Sequence, residues 1–382
     1  MTSRQPTSPL TLRLARGQAF DSLRWVAAIA VVVLHASSAM GVEVLWGGVE
    51  YAEPIMVFFT LTGMFVYASA VSTWSRTGSW RTYARNRWLR VAPAIAAFAL
   101  AAPLVLVAVG AAAPSTLLSP ELVVWLASAA LLVPNYDPSI WSHIGSGSMN
   151  GPLYTVPVEM SFYLLVPVLV LAARRFGFWR MVAGMAVVSV VGAFVSNQGG
   201  PLLHEVFHHL FLERAAYFTT GMVLARVGSA VPLRWWLAAA ALAVHVALRT
   251  YQDHGPDTGV LAWLQHTFKP VLCALPSGYL VLFAGVRLPS VLGRVTARLG
   301  DWSFGTYLWH SVVLNLALWW GAGASGLALA AVVVVSLGCG ATSWHLVERR
   351  FLARKQVSLR ARTDDLARPG PAPGPVDARP VA

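Results

Sequence analysis

Phe20-Asp21-Ser22-Leu23-Arg24-Trp25-Val26-Ala27-Ala28-Ile29-Ala30-Val31-Val32-Val33-Leu34-His35-Ala36 is an apolar run with an arginine near its start and a histidine near its end. Apolar runs of this kind recur from residue 22 to residue 344. Of 382 residues, 57% are apolar and only 12% charged, with a mean hydropathy of +0.61. A water-soluble chain usually carries about a quarter of its residues charged. The composition therefore excludes a soluble enzyme, a disordered chain and a nucleic-acid-binding domain, and it points to an all-α polytopic membrane protein.

Counting from that first run, spans are expected at about 22–39, 54–71, 91–113, 157–173, 178–196, 210–226, 234–249, 271–286, 302–320 and 324–344. Segment 121–134, between Pro120 and Pro134, is too short to cross and reads as a re-entrant or interfacial piece. Net charge is +12, and Lys269 and Lys355 are the only lysines among the 28 basic residues. The arginines cluster between spans: Arg76 to Arg90, Arg174 to Arg180, Arg226 and Arg234, Arg287 to Arg298, and Arg349 onward. By the positive-inside rule these connections are cytoplasmic, and the acidic connection with Glu43, Glu50 and Glu53 lies outside. About ten transmembrane helices with both termini cytoplasmic satisfy that count.

Residues 1–18 are then a cytoplasmic N-terminal tail, 19–352 the membrane domain and 353–382 a cytoplasmic tail, whose last stretch of Pro, Gly and Ala reads as disordered. Arg13 and Arg16 before the first run and Ala36-Ser37-Ser38-Ala39 after it resemble a signal peptide, but the polar residues inside the run have a better use in an uncleaved span. Cys273 and Cys339 lie in apolar stretches and do not form a disulfide framework.

Ionisable groups inside a bilayer are costly and are candidates for function. Arg24 and His35 are eleven residues apart, about three turns, so they share one helical face roughly 16 Å apart. The bland reading is a snorkelling anchor and a satisfied interior histidine. Glu159 comes two residues after Pro157 at the outer mouth of the fourth span, where it can cap, pair with Arg214 or orient a histidine. His310 and His245 also fall within spans, the latter as a packing residue. Arg87-Trp88-Leu89-Arg90 places two guanidinium groups about one turn apart beside an indole, which suits phosphates and a purine as well as it suits topology. His204-Glu205-Val206-Phe207-His208 fits the zinc-protease helix H-E-x-x-H, but a third ligand is wanting, since Glu213 lies about 140° round a helix from His208. No metal is expected there.

Together these residues resemble acyltransferase family three, the bacterial integral-membrane O-acyltransferases that modify cell-envelope sugars, antibiotics and related acceptors. The resemblance runs from Phe20-Asp21-Ser22-Leu23-Arg24 to Val347-Glu348-Arg349-Arg350-Phe351. The family's arginine, ten residues, histidine signature falls on Arg24 and His35. Its Phe-Phe-x-x-Ser-Gly motif is Phe58, Phe59, Thr62 and Gly63, with threonine for serine. Its Arg-x-x-Arg falls on Arg87 and Arg90, with Pro93 beyond them. Its Leu-Trp-Ser-Leu-x-Val-Glu stretch is similar to Leu153-Tyr154-Thr155-Val156-Pro157-Val158-Glu159, preceded by Asn150, and its Ser-Tyr-x-x-Tyr-Leu-x-His segment to Ser303 through Tyr307 and His310.

The resemblance implies a standalone membrane acyltransferase of about ten helices. It would move an acyl group, acetyl or another short one, from acyl-CoA to a hydroxyl of an envelope glycan or a secondary metabolite such as a macrolide. Acyl-CoA is a donor substrate, with no permanently bound cofactor. His35 would be general base or acyl carrier, and Glu159 would orient its imidazole. Arg24 would hold the pantetheine or polarise the carbonyl, and Arg87, Arg90 and Arg85 would grip the CoA phosphates. Phe58, Phe59, Thr62, Gly63, Asn150, Tyr154, Arg214, Tyr307, His310 and Glu348 would line or support the site. Membrane lipid surrounds the chain, the setting is the bacterial cytoplasmic membrane, and a separate extracytoplasmic partner would complete any onward transfer. The reading from another class is a proton-coupled transporter of a small polar solute, with a membrane zinc protease behind it. A transporter usually shows repeated halves, and none is visible.

Overall fold

The computed structural model describes residues 19–43, 52–134, 136–149, 151–198, 200, 206, 210–212, 214–254, 259–288 and 290–355. Asn150, Glu213 and the H-E-x-x-H stretch apart from Val206 lie outside these residues, as do both terminal tails as far as Gln18 and from Gln356. Among the described residues there is no strand.

Helix occupies every one of the ten expected spans. The elements are α1 (Phe20–Met40), α2 (Ala52–Thr77), α3 (Trp80–Ala108), α4 (Pro120–Ala130), α5 (Thr155–Phe176), α6 (Phe178–Gln198), α7 (Ala215–Val227), α8 (Trp235–His254), α9 (Gly259–Arg287), α10 (Ser290–Leu299), α11 (Ser303–Trp319) and α12 (Gly326–Ser343). Seven of the described helices are long and apolar enough to cross a bilayer; α7, with 13 residues, and α11, with 17, are shorter. This is a multi-pass membrane protein. Its lipid-facing side carries the exposed apolar side chains of Leu100, Leu104, Leu164 and Val168.

Local chemistry sets the ends. α1 stops at Gly41, whose φ of 68° lets the Val42 N–H reach back to the Ser37 carbonyl at 2.8 Å. α2 turns into α3 at Gly78 (φ 59°), and the Ser79 hydroxyl caps α3 by accepting from the Thr82 N–H. Beyond α12 the chain makes one π-helical turn, Trp344–Glu348, and stays helical to Lys355, a little past the expected boundary at 353.

α4 is short, as expected. Eleven residues reach about 16 Å, roughly half a hydrocarbon core. The connection from α4 to α5 is itself folded. The Glu121 carboxylate accepts from the Ser139 N–H at 2.5 Å and the Ser139 hydroxyl at 2.8 Å. Asn315 on α11 accepts from the Ser146 N–H at 2.6 Å and donates to the Ser148 carbonyl at 2.8 Å. Trp141, Ile144 and Met149 of this connection are themselves buried, which fastens it to the bundle.

The largest interhelical contact joins α2 to α7. Gly63 and Gly221 make it possible: a β-carbon at Gly63 would sit 2.0 Å from the Phe218 carbonyl oxygen, and one at Gly221 2.1 Å from that of Thr60. Phe162 of α5 stacks on Phe218 of α7 at 4.1 Å and carries the same layer onward. Gly63, expected from its motif to line or support the site, lies at this helix crossing. We predict that Gly63→Ala and Gly221→Ala each cost about 1–3 kcal/mol, because backbone atoms cannot rotate out of the way. Gly184→Ala, which meets nothing within 4 Å, should leave thermal unfolding in detergent unchanged or slightly later.

Candidate active site

α1, α2, α3, α5 and α11 surround a cavity of about 740 Å³. One end is cationic, lined by Arg24, Arg87, Arg90 and Lys355 together with Asp21 and Asp301; the other is walled by Ile55, Phe58, Phe59, Val156, Thr155 and Tyr307. Thr62, Glu159 and Tyr163 line it between them. Arg85 and Trp88 are exposed and lie outside this lining, so the expected third arginine and indole do not join it.

The three lining arginines are not equivalent. Arg90 donates to Asp301 at 2.5 Å, and its other terminal nitrogen is 4.0 Å from Glu348, a side chain only 1% exposed. Ser343 donates to the second Glu348 oxygen at 3.0 Å, and the π-helical turn carries Glu348 to this position. Burial by itself would raise the Asp301 carboxyl; the Arg90 guanidinium, with Arg24 and the Ser303 hydroxyl, outweighs it and holds the group at about 2. Arg24 is bonded to Asp21 at 2.7 Å and lies over the Phe65 ring. Among the described residues, Arg87 makes no ion pair with a carboxylate. Its guanidinium lies 5.8 Å from the Tyr83 ring and 5.6 Å from that of Tyr163, with a buried Nε that makes no hydrogen bond to them.

At the far end, Tyr307 is hydrogen-bonded through its hydroxyl to that of Thr155 at 2.7 Å, and its ring is 6.4 Å from Phe58. One turn further along α11, His310 is 1% exposed. Its Nε2 is 3.1 Å from Nδ1 of His35 on α1, with the rings 5.2 Å apart and nearly parallel. The Val31 carbonyl also draws on the His35 ring. His35 is half-buried and is not part of the cavity lining; Tyr307, which is, lies 5.6 Å from the His310 ring.

The expected Glu159–His35 contact is not made. The Tyr163 hydroxyl donates to Glu159, and the place beside His35 belongs to His310. A carboxylate on the cavity wall is solvated by the phenol and shares a polar chamber with arginines, whereas the histidines sit deeper among apolar side chains. Arg214 is buried 5.7 Å over the Tyr154 ring; neither lines this cavity. Asp301, Tyr163 and Thr155 were not singled out in the sequence. Asp301 had a signal, as the only carboxylate in the basic connection from Arg287 to Trp302.

Residues 18–345 match the family model described as Acyltransferase domain, family three. The chain belongs to this acyltransferase family. Its relatives include an O-acetyl transferase of Shigella phage Sf6, 25% identical over 90% of this chain and 98% of that one. Nodulation protein 10 of Rhizobium leguminosarum bv. viciae is 24% identical over 91% and 95%. Acyltransferase MdmB of Streptomyces mycarofaciens is 26% identical over 90% and 94%. No solved structure matches the chain. The acyltransferase is thus a membrane enzyme that transfers acyl groups other than aminoacyl ones, which sets aside the transporter and protease readings.

Asp301→Asn should destabilise the acyltransferase by about 2–3 kcal/mol, just under the range for a fully buried pair because the partners keep 24% and 14% exposure. A carboxyl depressed from 3.8 to about 2 contributes stability above its unfolded value and loses it as pH falls through the folded one. Thermal unfolding in detergent should therefore show a constant gap between wild type and variant from about pH 5 to 8, closing only as the pH approaches 2.

Proposed function

We propose that this protein transfers a short acyl group from acyl-CoA to an acceptor hydroxyl, with the CoA head at the arginine end of the cavity and the acyl end against Tyr307. The observation that carries this reading is the gradient along one cavity, from a cationic rim with an uncommitted Arg87 to an apolar wall. A polyanionic head on a long, weakly polar arm that ends in an acyl group matches that gradient. The phage relative's name, O-acetyl transferase, supports acetyl as the group and oxygen as its destination.

The chemistry assigned to the residues is general-base acyl transfer. His35 takes the acceptor's hydroxyl proton as the oxygen attacks the thioester carbonyl, and returns it to the departing CoA sulfur. Arg87 holds phosphate. Arg24, about 16 Å from His35 along α1, belongs to the donor head and not to the reacting carbonyl. Arg90 keeps the rim assembled. Tyr307 separates donor arm from base, so the acyl end must pass it on the way to His35. The setting we assign is the bacterial cytoplasmic membrane, with the arginine end facing the cytoplasm and the acceptor an envelope glycan or a secondary metabolite. Any extracytoplasmic partner would act on the product.

His35→Ala should lower turnover at least about hundredfold with expression and membrane insertion intact, measured as free CoA released from acetyl-CoA by purified protein. Wild-type turnover in that variant would remove His35 from the chemistry. Glycan and metabolite mass spectrometry of a deletion strain names the acceptor.

Arg87→Gln should raise the apparent donor KM by about tenfold to a hundredfold, the worth of one or two charge-assisted contacts, with turnover at saturating donor retained. A truncated pantetheine thioester lacking those phosphates should show no such difference. Arg90→Gln should instead lower the unfolding temperature. A donor titration run beside thermal unfolding tells the two arginines apart, and an unchanged KM in Arg87→Gln would return that residue to topology.

A further inference from the structure

The two histidines of α1 and α11 carry more information than their proximity. His310 Nδ1 lies 2.6 Å from the Tyr307 carbonyl oxygen. A carbonyl only accepts, so this nitrogen bears the hydrogen. A neutral imidazole has one N–H, which leaves His310 Nε2 as an acceptor. Its neighbour at 3.1 Å is His35 Nδ1, and that nitrogen must therefore be the donor. In that tautomer the other ring nitrogen of His35, Nε2, carries no hydrogen. A doubly protonated His310 would put a full charge on a side chain 1% exposed, with no carboxylate among its hydrogen-bond partners.

We propose that His310 is a positioning residue that fixes the tautomer and ring orientation of His35, so that Nε2 of His35 is presented as the base. Tyr307 acts through its backbone carbonyl as the third member of the chain. The inference rests on the reading of His35 as the base. In the step itself, the acceptor O–H breaks and its proton goes to His35 Nε2 while the oxygen forms a bond to the thioester carbon. The C–S bond then breaks, and the CoA sulfur takes the proton from Nε2. In between, His35 is an imidazolium whose Nδ1–H is donated to the neutral His310 Nε2. His310 thus takes the place that a carboxylate holds in hydrolase triads. No proton is gained or lost by the pair over the cycle.

Two substitutions separate this role from packing. A glutamine at 310 places its amide oxygen near the position of Nε2 and can accept from His35. An asparagine places its amide near the position of Nδ1, keeping a donor to the Tyr307 carbonyl and losing His35. His310→Asn should therefore lower kcat by about 10²–10³-fold with the donor KM within a few-fold of wild type, while His310→Gln stays within about tenfold of wild type. If His310 only tied down α11, asparagine would be the better replacement, and that order of activities overturns the proposal.

The second measurement does not depend on turnover. Full-length protein labelled with ¹⁵N-histidine in lipid nanodiscs reports which ring nitrogen is bare, with His35 assigned by the signal missing in His35→Gln. The expected wild-type result is a protonated Nδ1 and a bare Nε2, giving way to mixed tautomers in His310→Asn. A bare Nδ1 in wild type overturns the proposal even if every variant folds poorly. Should His35→Gln keep full turnover, the base assignment falls, and the nitrogen signals still decide whether the pair is bonded as described. The two failures are distinguishable.

Discussion

The Arg90–Asp301 ion pair joins two residues 211 positions apart, one on α3 and one two residues before the start of α11. A guanidinium at the head of a membrane helix has to be solvated by something, and here a carboxylate, backed by Glu348, does it. Anchoring Asp301 fixes where α11 starts, and the positions of the deeper residues are set from there. Six residues on, Tyr307 closes the cavity, and nine residues on, His310 meets His35. A helix rises about 1.5 Å per residue, so the depth of the histidine pair is set by an electrostatic contact roughly 13 Å away.

The same allocation of charge distinguishes the three arginines of the cavity. Three guanidinium groups share the rim with Asp21, Asp301 and Glu348. Arg24 is matched by Asp21 and Arg90 by the other two, whereas Arg87 is flanked by aromatic rings. A cation over rings is held in orientation without being neutralised, so its charge stays available to an incoming anion. Tyr83 and Tyr163 are themselves fixed, since the Tyr83 hydroxyl donates to the Tyr163 carbonyl at 3.1 Å.

Much of this was legible in the sequence because it is local. Apolar length gives the spans, prolines bound α4, and eleven residues put Arg24 and His35 on one face of α1. What was not legible depends on partners far away along the chain. His35 and His310 are 275 residues apart, and spacing left Glu159 open between a cap, Arg214 and a histidine, so that its pairing with His35 came only from the family resemblance. Gly63 sits in a motif beside cavity-lining phenylalanines, yet its lack of a side chain answers to Phe218 on another helix. Asn315, which fastens the connection after α4, is one polar residue in an apolar span with nothing local to betray its partners.

The choice of an imidazole as partner for His35 is explained by where the pair lies. A carboxylate buried at the depth of His310, which is 1% exposed, would need several donors to offset its desolvation, and the ring packed beside His310 is that of Tyr307. A neutral imidazole can orient a neutral imidazole without placing any charge there before reaction. Glu159 stays on the cavity wall, with a phenol as donor and arginines in the same chamber. Fixed charge is thus confined to the arginine end of the cavity, and the histidine pair is held together by hydrogen bonds between neutral rings.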